Sequence, residues 1–298
     1  TSSVFMASTG VIGEKLNYKK IITKIPKMSE NLKEGNWNKA ATAITTTDTF
    51  PKGASEVALI RNKKIQITGI AKGSGMIAPD MATMLSFIFT DANIPSNILQ
   101  TLLSRNVQNT FNAITVDSDA STSDTVLLFA TGAAKSIAPT SADDPVLKHF
   151  ELGLQSVMLN LAKQIVCDGE GAQKLILVYL TGANSKKSAR KIGLAIANSP
   201  LVKTAIAGGD ANWGRVVMAV GKSGEKANPD KISVCFGKTI IAEKGAVMEG
   251  YDEAPVTEHL QGREIHITVD VGLGNGKSTV WTCDLTHGYI DINADYRS

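Results

Sequence analysis

The chain is poor in the residues that build metal and redox centres. It has three cysteines, Cys167, Cys235 and Cys283, far apart and odd in number, with no CxxC pair. Zinc sites and disulfide frameworks need closer, paired spacing, so neither has a basis here. A reduced intracellular compartment is expected. The four histidines, His149, His259, His266 and His287, are scattered. His266 alternates with Ile265 and Ile267, as a structural or surface residue of a strand does. There is no Gly-x-Ser-x-Gly elbow, and nothing in the sequence asks for a Ser-His-Asp arrangement. No apolar run reaches the roughly 18 residues of a membrane helix. The opening residues do not read as a secretory signal. Net charge is +3, without a long basic run, so nucleic-acid binding has no compositional support. Repeats and low-complexity stretches are also missing.

What is present is an average globular composition, 43% hydrophobic and 20% charged over 298 residues, enough for a sizeable core. This length suggests two domains or one large one. Strand and helix patterns alternate. "VFMAS" at 4–8 is expected as a strand, and "TSSVFMASTGVIG" begins as though mid-strand, so an upstream segment is expected. "NWNKAATAI" has a helical pattern, "KIQITGIAK" alternates like a strand, and "MLSFIFTDA" is a β-rich apolar run. A helix is expected over "NIPSNILQTLLSRNVQNTF", then a polar turn "VDSDASTSDT" and the strand "VLLFATG". From Asp144 a long helix puts Phe150, Leu154, Val157, Met158, Leu161 and Ile165 on one face, ended by Gly169 and Gly171. "KLILVYLTG" is a buried strand, and "SKKSARKIGLAIANS" a helix stopped by Pro200. The last third is richer in strands: "KISVCF", "EIHITVDV" and "STVWTCDLT". A boundary is expected between 170 and 190, taken as an N-terminal domain 1–175 and a C-terminal domain 176–298. The class is mixed α and β, with layered sheets covered by helices.

"VGLGNGKSTV" at 271–280 looks like a phosphate-binding loop and is not one. Such a loop needs a glycine, then four residues, then Gly-Lys-Ser. That position is Val271, and the flanks are strand and strand. A glycine-rich hairpin is expected instead.

"GSGMIAPDMATMLSFIFTDA" at 73–92 places a small Ala82-Thr83 step between a glycine loop and an apolar run. From pattern alone, Thr83 opens a strand. The chemical alternative is a nucleophile. A threonine hydroxyl needs a base, and an N-terminal threonine supplies one in its own α-amine, of pKa about 7.7 to 8.0. Exposing it requires cutting the Ala82–Thr83 bond, whose alanine carbonyl is open to attack by the Thr83 hydroxyl. The Gly73-Ser74-Gly75 loop can bring backbone donors near an oxygen, and Lys72 adds positive charge at its edge.

The decision between these readings comes from a resemblance. "STGVIGE" (8–14), "TTDTFPKG" (46–53), "GIAKGSGMIAPDMATML" (69–85), "TVDSDASTSDT" (115–125), "QIVCDGEGAQK" (164–174), "ANSPLVKTAIAGGDANWGR" (197–215), "WTCDLTHGY" (281–289) and "INADYRS" (292–298) stand in order along essentially the whole chain. They resemble the glutamate N-acetyltransferase/ornithine acetyltransferase family of arginine biosynthesis. The resemblance implies an αββα-type sandwich related to N-terminal-nucleophile folds, with a smaller C-terminal α/β domain and the site between them. Family members carry roughly a further hundred residues before the first block, so the chain is expected to be shortened at its N-terminus.

The resemblance also implies a chemistry. The precursor cuts itself between Ala82 and Thr83 into an α and a β chain, which assemble as α2β2 or larger. Thr83 takes acetyl from N-acetylornithine and passes it to glutamate in ping-pong fashion. Thr9 and Gly10 form the oxyanion hole. Lys72, Thr83, Glu170, Asn293 and Ser298 bind substrate. No metal or redox cofactor is implied, and acetyl-CoA is a candidate second donor. Location is the cytoplasm, or the mitochondrial matrix or plastid in a eukaryote. Each assignment has a plain alternative: a glycine turn for Thr9-Gly10, a solvated lysine for Lys72, a helix cap for Glu170, a frayed tail for Asn293 and Ser298. The chain departs from the family in ending on serine rather than threonine, in carrying Asp80 before the cut, and at Ser118, Ala120 and Ser123. The 115–125 segment is taken as turn chemistry near the site. Two other functions compete: a threonine amidohydrolase or aminopeptidase, separable by assay with and without glutamate, and a non-catalytic binding chain, which would keep the Ala82–Thr83 bond whole.

Overall fold

A computed structural model of the chain describes residues 4–78 and 84–295. Asp80, Ala82, Thr83 and Ser298 lie outside the described residues. In chain order the elements are α1 (Tyr18–Glu30), α2 (Trp37–Ala43), β1 (Lys52–Ile60), β2 (Lys63–Lys72), β3 (Leu85–Thr90), α3 (Ser96–Val107), β4 (Thr125–Ala130) and α4 (Lys148–Cys167). Next come β5 (Leu175–Ala183), α5 (Lys186–Ala197), α6 (Pro200–Ala207), α7 (Trp213–Lys222), β6 (Ser233–Phe236), β7 (Thr239–Glu243) and β8 (Ala246–Val247). The chain closes with α8 (Ala254–Gln261), β9 (Glu264–Asp270), β10 (Gly276–Cys283) and α9 (His287–Asp295). The mixed α/β class is the one expected.

The first sheet has the order β1-β2-β3-β4. β1, β2 and β3 run antiparallel, while β3 and β4 are parallel and joined through α3, as a parallel pair requires. One face takes the long helix α4. Its buried residues Leu154, Val157, Met158 and Leu161 pack with Ala58, Ile60, Ile65 and Ile67 in one core. The helix follows a short 3-10 turn whose cap, Asp144, accepts the Val146 amide at 3.1 Å, with Pro145 in the first position. It stops at Asp168, followed by Gly169 and by Gly171 at φ +73°. On the opposite face a row of rings crosses the sheet. Phe89 stacks on Phe129 at 5.0 Å, Trp37 tilts against Phe89 at 5.5 Å, and Phe5 meets Phe129 edge-on at 5.6 Å.

That ring contact corrects one expectation. "VFMAS" is not a strand: residues 4–10 have no regular structure and are largely exposed. Among the described residues no neighbouring strand pairs with them, and strand propensity without a partner ladder does not make a strand. α1 also buries none of its residues.

The second sheet has the order β10-β5-β9-β6-β7-β8. α5 lies on β5 and β10, and a second core gathers Val178, Ile192, Ile196, Val220, Val234, Ile267 and their neighbours. Here a second expectation falls. β9 and β10 do not form a hairpin, because β5 lies between them, parallel to β9 and antiparallel to β10. The glycine-rich connection at 271–276 crosses the end of β5. Leu273 and Gly274 both give their amides to Gly182 O at 2.7 Å, which anchors the crossing. Pro200 does more than stop a helix. Ser199 accepts the Val202 amide, and Pro200 stands in the first turn of α6.

The two sheets touch where the site forms. Thr115 donates its amide to Trp281 O at 3.0 Å, and α4 contacts β10. Among the described residues no helix is long and apolar enough to cross a membrane.

Candidate active site

β2 ends on Lys72, opposite Leu85, the first residue of β3. The link between these two strands leaves and re-enters the sheet at this point. Its first half, 73–78, is pinned residue by residue. Gly73 N donates to Asp48 Oδ1 at 2.7 Å. Ser74 Oγ lies 2.5 Å from Thr47 Oγ1. Met76 N and Ile77 N donate to the two oxygens of Asp117 at 2.7 and 3.0 Å. Ile77 O accepts the Val116 amide at 2.8 Å. The segment has no secondary structure of its own, so side chains and neighbouring backbone supply the partners that its buried groups need.

The turn after α4 is set against this loop. Glu170 N donates to Ser74 O at 3.0 Å. A Cβ added to Gly75 would fall on the Glu170 carboxylate, so only glycine lets that carboxylate lie there. The start of α9 comes equally close: a Cβ on Gly171 would overlap the backbone of Gly288 and Tyr289. α9 then presents Asn293, whose amide nitrogen donates to Glu170 Oε2 at 2.9 Å and to Tyr289 O at 3.0 Å.

These walls enclose a cavity of about 500 Å³. Thr9, Gly10, Lys72, Glu170 and Asn293 all line it. The structure therefore places in one cavity every candidate site residue that it describes, from four separate parts of the chain. Thr83, Ala82 and Ser298 lie outside the described residues. The cavity also has a lining that sequence reasoning did not assign. Thr46 and Thr47 come from the "TTDTFPKG" block, and Asp117, Asp119 and Ser121 to Ser123 from "TVDSDASTSDT". The second block, expected as turn chemistry, is both turn and wall. The motif blocks themselves were the signal for these residues.

A buried triad stands behind the cavity. Lys52 is fully buried, and its ammonium meets Asp48 at 2.6 Å and Asp168 at 2.5 Å. Asp168 also accepts the Thr49 amide at 3.0 Å and the Thr49 hydroxyl. Asp48 thus ties Lys52 to Gly73, and Asp168 ties it to the turn that carries Glu170. Burial works to raise the Asp48 carboxyl, but the Gly73 amide and Lys52 prevail and hold it below the ordinary value.

Charge in the cavity is mixed. Lys72 is 3% exposed, and its ammonium has no hydrogen-bond or ion-pair partner among the described residues. Burial lowers its pKa, opposed by Asp48, Asp124 and Glu170, while Lys52 adds to the lowering. Burial raises Asp117 despite its three backbone donors. Tyr289, with its hydroxyl 3.4 Å from Asp117 Oδ2, is pushed up to about 12 by burial and then by Asp117, so it keeps its proton. None of the four histidines lines this cavity. Among the described residues no group of three or more His, Cys, Asp or Glu is placed to share a metal ion. A larger cavity, about 630 Å³ between α2 and the first two strands, has Lys52 on its lining, but that ammonium is already committed to the triad.

A buried ammonium that has no partner among the described residues shares a small cavity with carboxylates, hydroxyls and an amide, an arrangement suited to an enzyme of small molecules. The comparisons with known proteins take this further. The ArgJ family model matches residues 1–298. The chain is 58% identical over 295 residues to the arginine biosynthesis bifunctional protein ArgJ of Gluconobacter oxydans, covering 99% of this chain and 70% of that protein. It is 56% identical over 295 residues to the protein of the same name from Ruegeria pomeroyi, covering 99% and 71%. The crystal structure of arginine biosynthesis bifunctional protein argJ from Bacillus halodurans aligns with TM-score 0.69 and 43% identity, over 72% of this chain and 100% of that chain. The chain belongs to the ArgJ family.

Proposed function

We propose that this chain is a glutamate N-acetyltransferase that moves acetyl from N-acetylornithine to glutamate in arginine biosynthesis. The observation that carries the reading is the convergence of Thr9, Gly10, Lys72, Glu170 and Asn293 on one cavity, at the point where β3 begins two residues after Thr83. The names of the relatives, arginine biosynthesis bifunctional proteins, support the same assignment.

The first step is self-cleavage. The Thr83 hydroxyl attacks the Ala82 carbonyl carbon, and the acyl group passes from nitrogen to oxygen. Water then opens the ester, leaving a carboxylate on Ala82 and a free α-amine on Thr83. In transfer that amine takes the proton of the Thr83 hydroxyl, which attacks the acetyl carbonyl of N-acetylornithine. The Thr9 hydroxyl and the Gly10 amide donate to the tetrahedral oxyanion. Collapse breaks the C–N bond, the proton goes to the leaving amine, and ornithine departs from acetyl-Thr83. The glutamate amine attacks that ester and regenerates the Thr83 hydroxyl. Acetyl-CoA can acylate the same hydroxyl as a second donor.

Lys72 is the seat for a substrate carboxylate, because a buried ammonium with no partner among the described residues gains most from one. Glu170, held by Asn293, faces the side-chain ammonium of ornithine. Ser298 completes the substrate contacts. Each step exchanges an acyl group between nitrogen, oxygen or, with acetyl-CoA, the thioester sulfur that leaves as the CoA thiol, so the chemistry asks for no metal or redox group. The working division of the chain is 1–175 and 176–298: the second buried cluster lies wholly in 176–298, while the first also takes in Trp281 and Cys283. Assembly of cleaved chains as α2β2 or larger, in the cytoplasm, belongs to the same proposal.

Denaturing mass spectrometry tests it. Purified protein is expected to give two pieces, 1–82 and 83–298, and Thr83→Ala a single uncut chain without transferase activity. A single uncut wild-type chain with full activity would sink the mechanism.

A further inference from the structure

Met84 is clasped from both sides. Its N–H donates to Asp124 Oδ1 at 2.8 Å, and its carbonyl accepts the Thr125 amide at 3.1 Å. Asp124 stands one residue before β4, whose Thr125 pairs with Leu85 of β3. Met84 is 3% exposed and lies just outside the ladder, so its N–H needs an acceptor from elsewhere. A neutral oxygen would satisfy it. A carboxylate is the costlier choice, because its surroundings are largely apolar: Ile77, Met84, Phe111 and Ile114 line the small space beside it. Burial accordingly pushes the Asp124 carboxyl up to about 7, against the Met84 amide and Lys72. Lys72 on β2 is the charged side chain acting on it. The acceptor comes from 40 residues away in the chain and sits on the amide of the residue that follows Thr83.

We propose that Asp124 is a positioning residue for both reactions of Thr83: by holding the Met84 N–H it fixes the peptide unit that joins Thr83 to Met84, and with it the direction of attack. The peptide unit is planar, so an anchor on its N–H also holds its carbonyl side. The inference rests on Thr83 being the nucleophile. It assigns Asp124 no contact with substrate. Of the groups proposed to bind substrate, Glu170 and Asn293 are held by the bond between them, and Lys72 stands on β2.

The test compares wild type, Asp124→Ala and Asp124→Asn as full chains. Cleavage is followed by denaturing mass spectrometry, and kcat and KM are measured on the cleaved, folded fraction. Asp124→Ala is expected to slow cleavage and to lower kcat by about 10- to 100-fold, the scale of a displaced reacting group, with KM for both substrates little changed. Asp124→Asn keeps an acceptor oxygen in the same place and is expected to restore most of both rates. Wild-type cleavage and kcat in Asp124→Ala would overturn the inference while leaving Thr83 in place. An Asn variant as impaired as the Ala variant would overturn it too. A wild type that neither cleaves nor transfers would overturn the Thr83 reading, and this inference with it.

Discussion

The two sides of the cavity are built in different ways. On one side, the 73–78 loop and the turn that carries Glu170 are fixed by buried charge. Asp48 takes the Gly73 amide and Lys52, Asp117 takes two successive amides, and Glu170 takes Asn293. On the other side, residues 9–12 carry Thr9 and Gly10 on a segment that is mostly exposed, with open space around Gly10. Among the described residues the hydrogen bonding of residues 9–12 is local only: the Glu14 amide donates to Val11 O at 3.1 Å. The difference teaches where rigidity comes from. An ionised group taken out of water must be met by donors or opposite charge, and meeting it builds a network. A hydroxyl and a backbone amide make no such demand, so the wall that carries them can stay open.

The largest expected effect would break the braced side. Lys52→Met leaves the Asp48 and Asp168 carboxylates buried without their cation, and a broken buried pair costs about 3–5 kcal/mol. Urea unfolding should show that loss. A midpoint equal to wild type would mean that the triad does not brace the wall.

Next in size is a change on the open side, where stability and rate should separate. Thr9→Val is expected to lower kcat by about 100- to 1,000-fold, the usual cost of one oxyanion donor. It should leave stability within about 0.5 kcal/mol, as at other surface sites. A kcat near wild type would remove Thr9 from the oxyanion site. A large loss of stability would show that this side is braced after all.

The smallest effect sharpens the contrast through pH. A carboxyl whose folded pKa is raised contributes stability that is fully present below its unfolded value and is lost as pH rises through the folded value. For Asp124 that window runs from the ordinary 3.8 up to about 7. Asp124→Asn should therefore match wild type in thermal unfolding at pH 4 and exceed it at pH 8. The gain is small, because Asp124 is only partly buried. Equal unfolding temperatures at pH 8 would show that the charged form is not penalised.

Much of the fold was legible in local pattern. The spacing of Phe150, Leu154, Val157, Met158, Leu161 and Ile165 matches the buried stripe of α4. The alternation in "KIQITGIAK" falls on β2, and the buried run "KLILVYLTG" on β5. These patterns work because burial against a single neighbour imposes a period. "VFMAS" failed because a strand is a property of a pair. The hairpin at 271–276 failed because two strands near in sequence can accept a third between them. Ser199-Pro200 was legible as a helix start and was taken as a stop, since the same proline both ends and begins helices.

The site divides along similar lines. Ordered motif blocks marked Thr9, Gly10, Lys72, Glu170 and Asn293, and the structure sets all five around one cavity. Asp48, Lys52, Asp117 and Asp124 escaped assignment although each lies in or beside a marked block. Their partners are distant in sequence: Asp168 lies 116 residues after Lys52, and Asp124 lies 40 residues after Met84. By itself the sequence determined the family, the periods of the long elements and the residue types available for acyl transfer. Only the tertiary structure decided which carboxylate faces which cation and which amide each oxygen holds. Those choices depend on burial and on distance through space, and neither has a period along the chain.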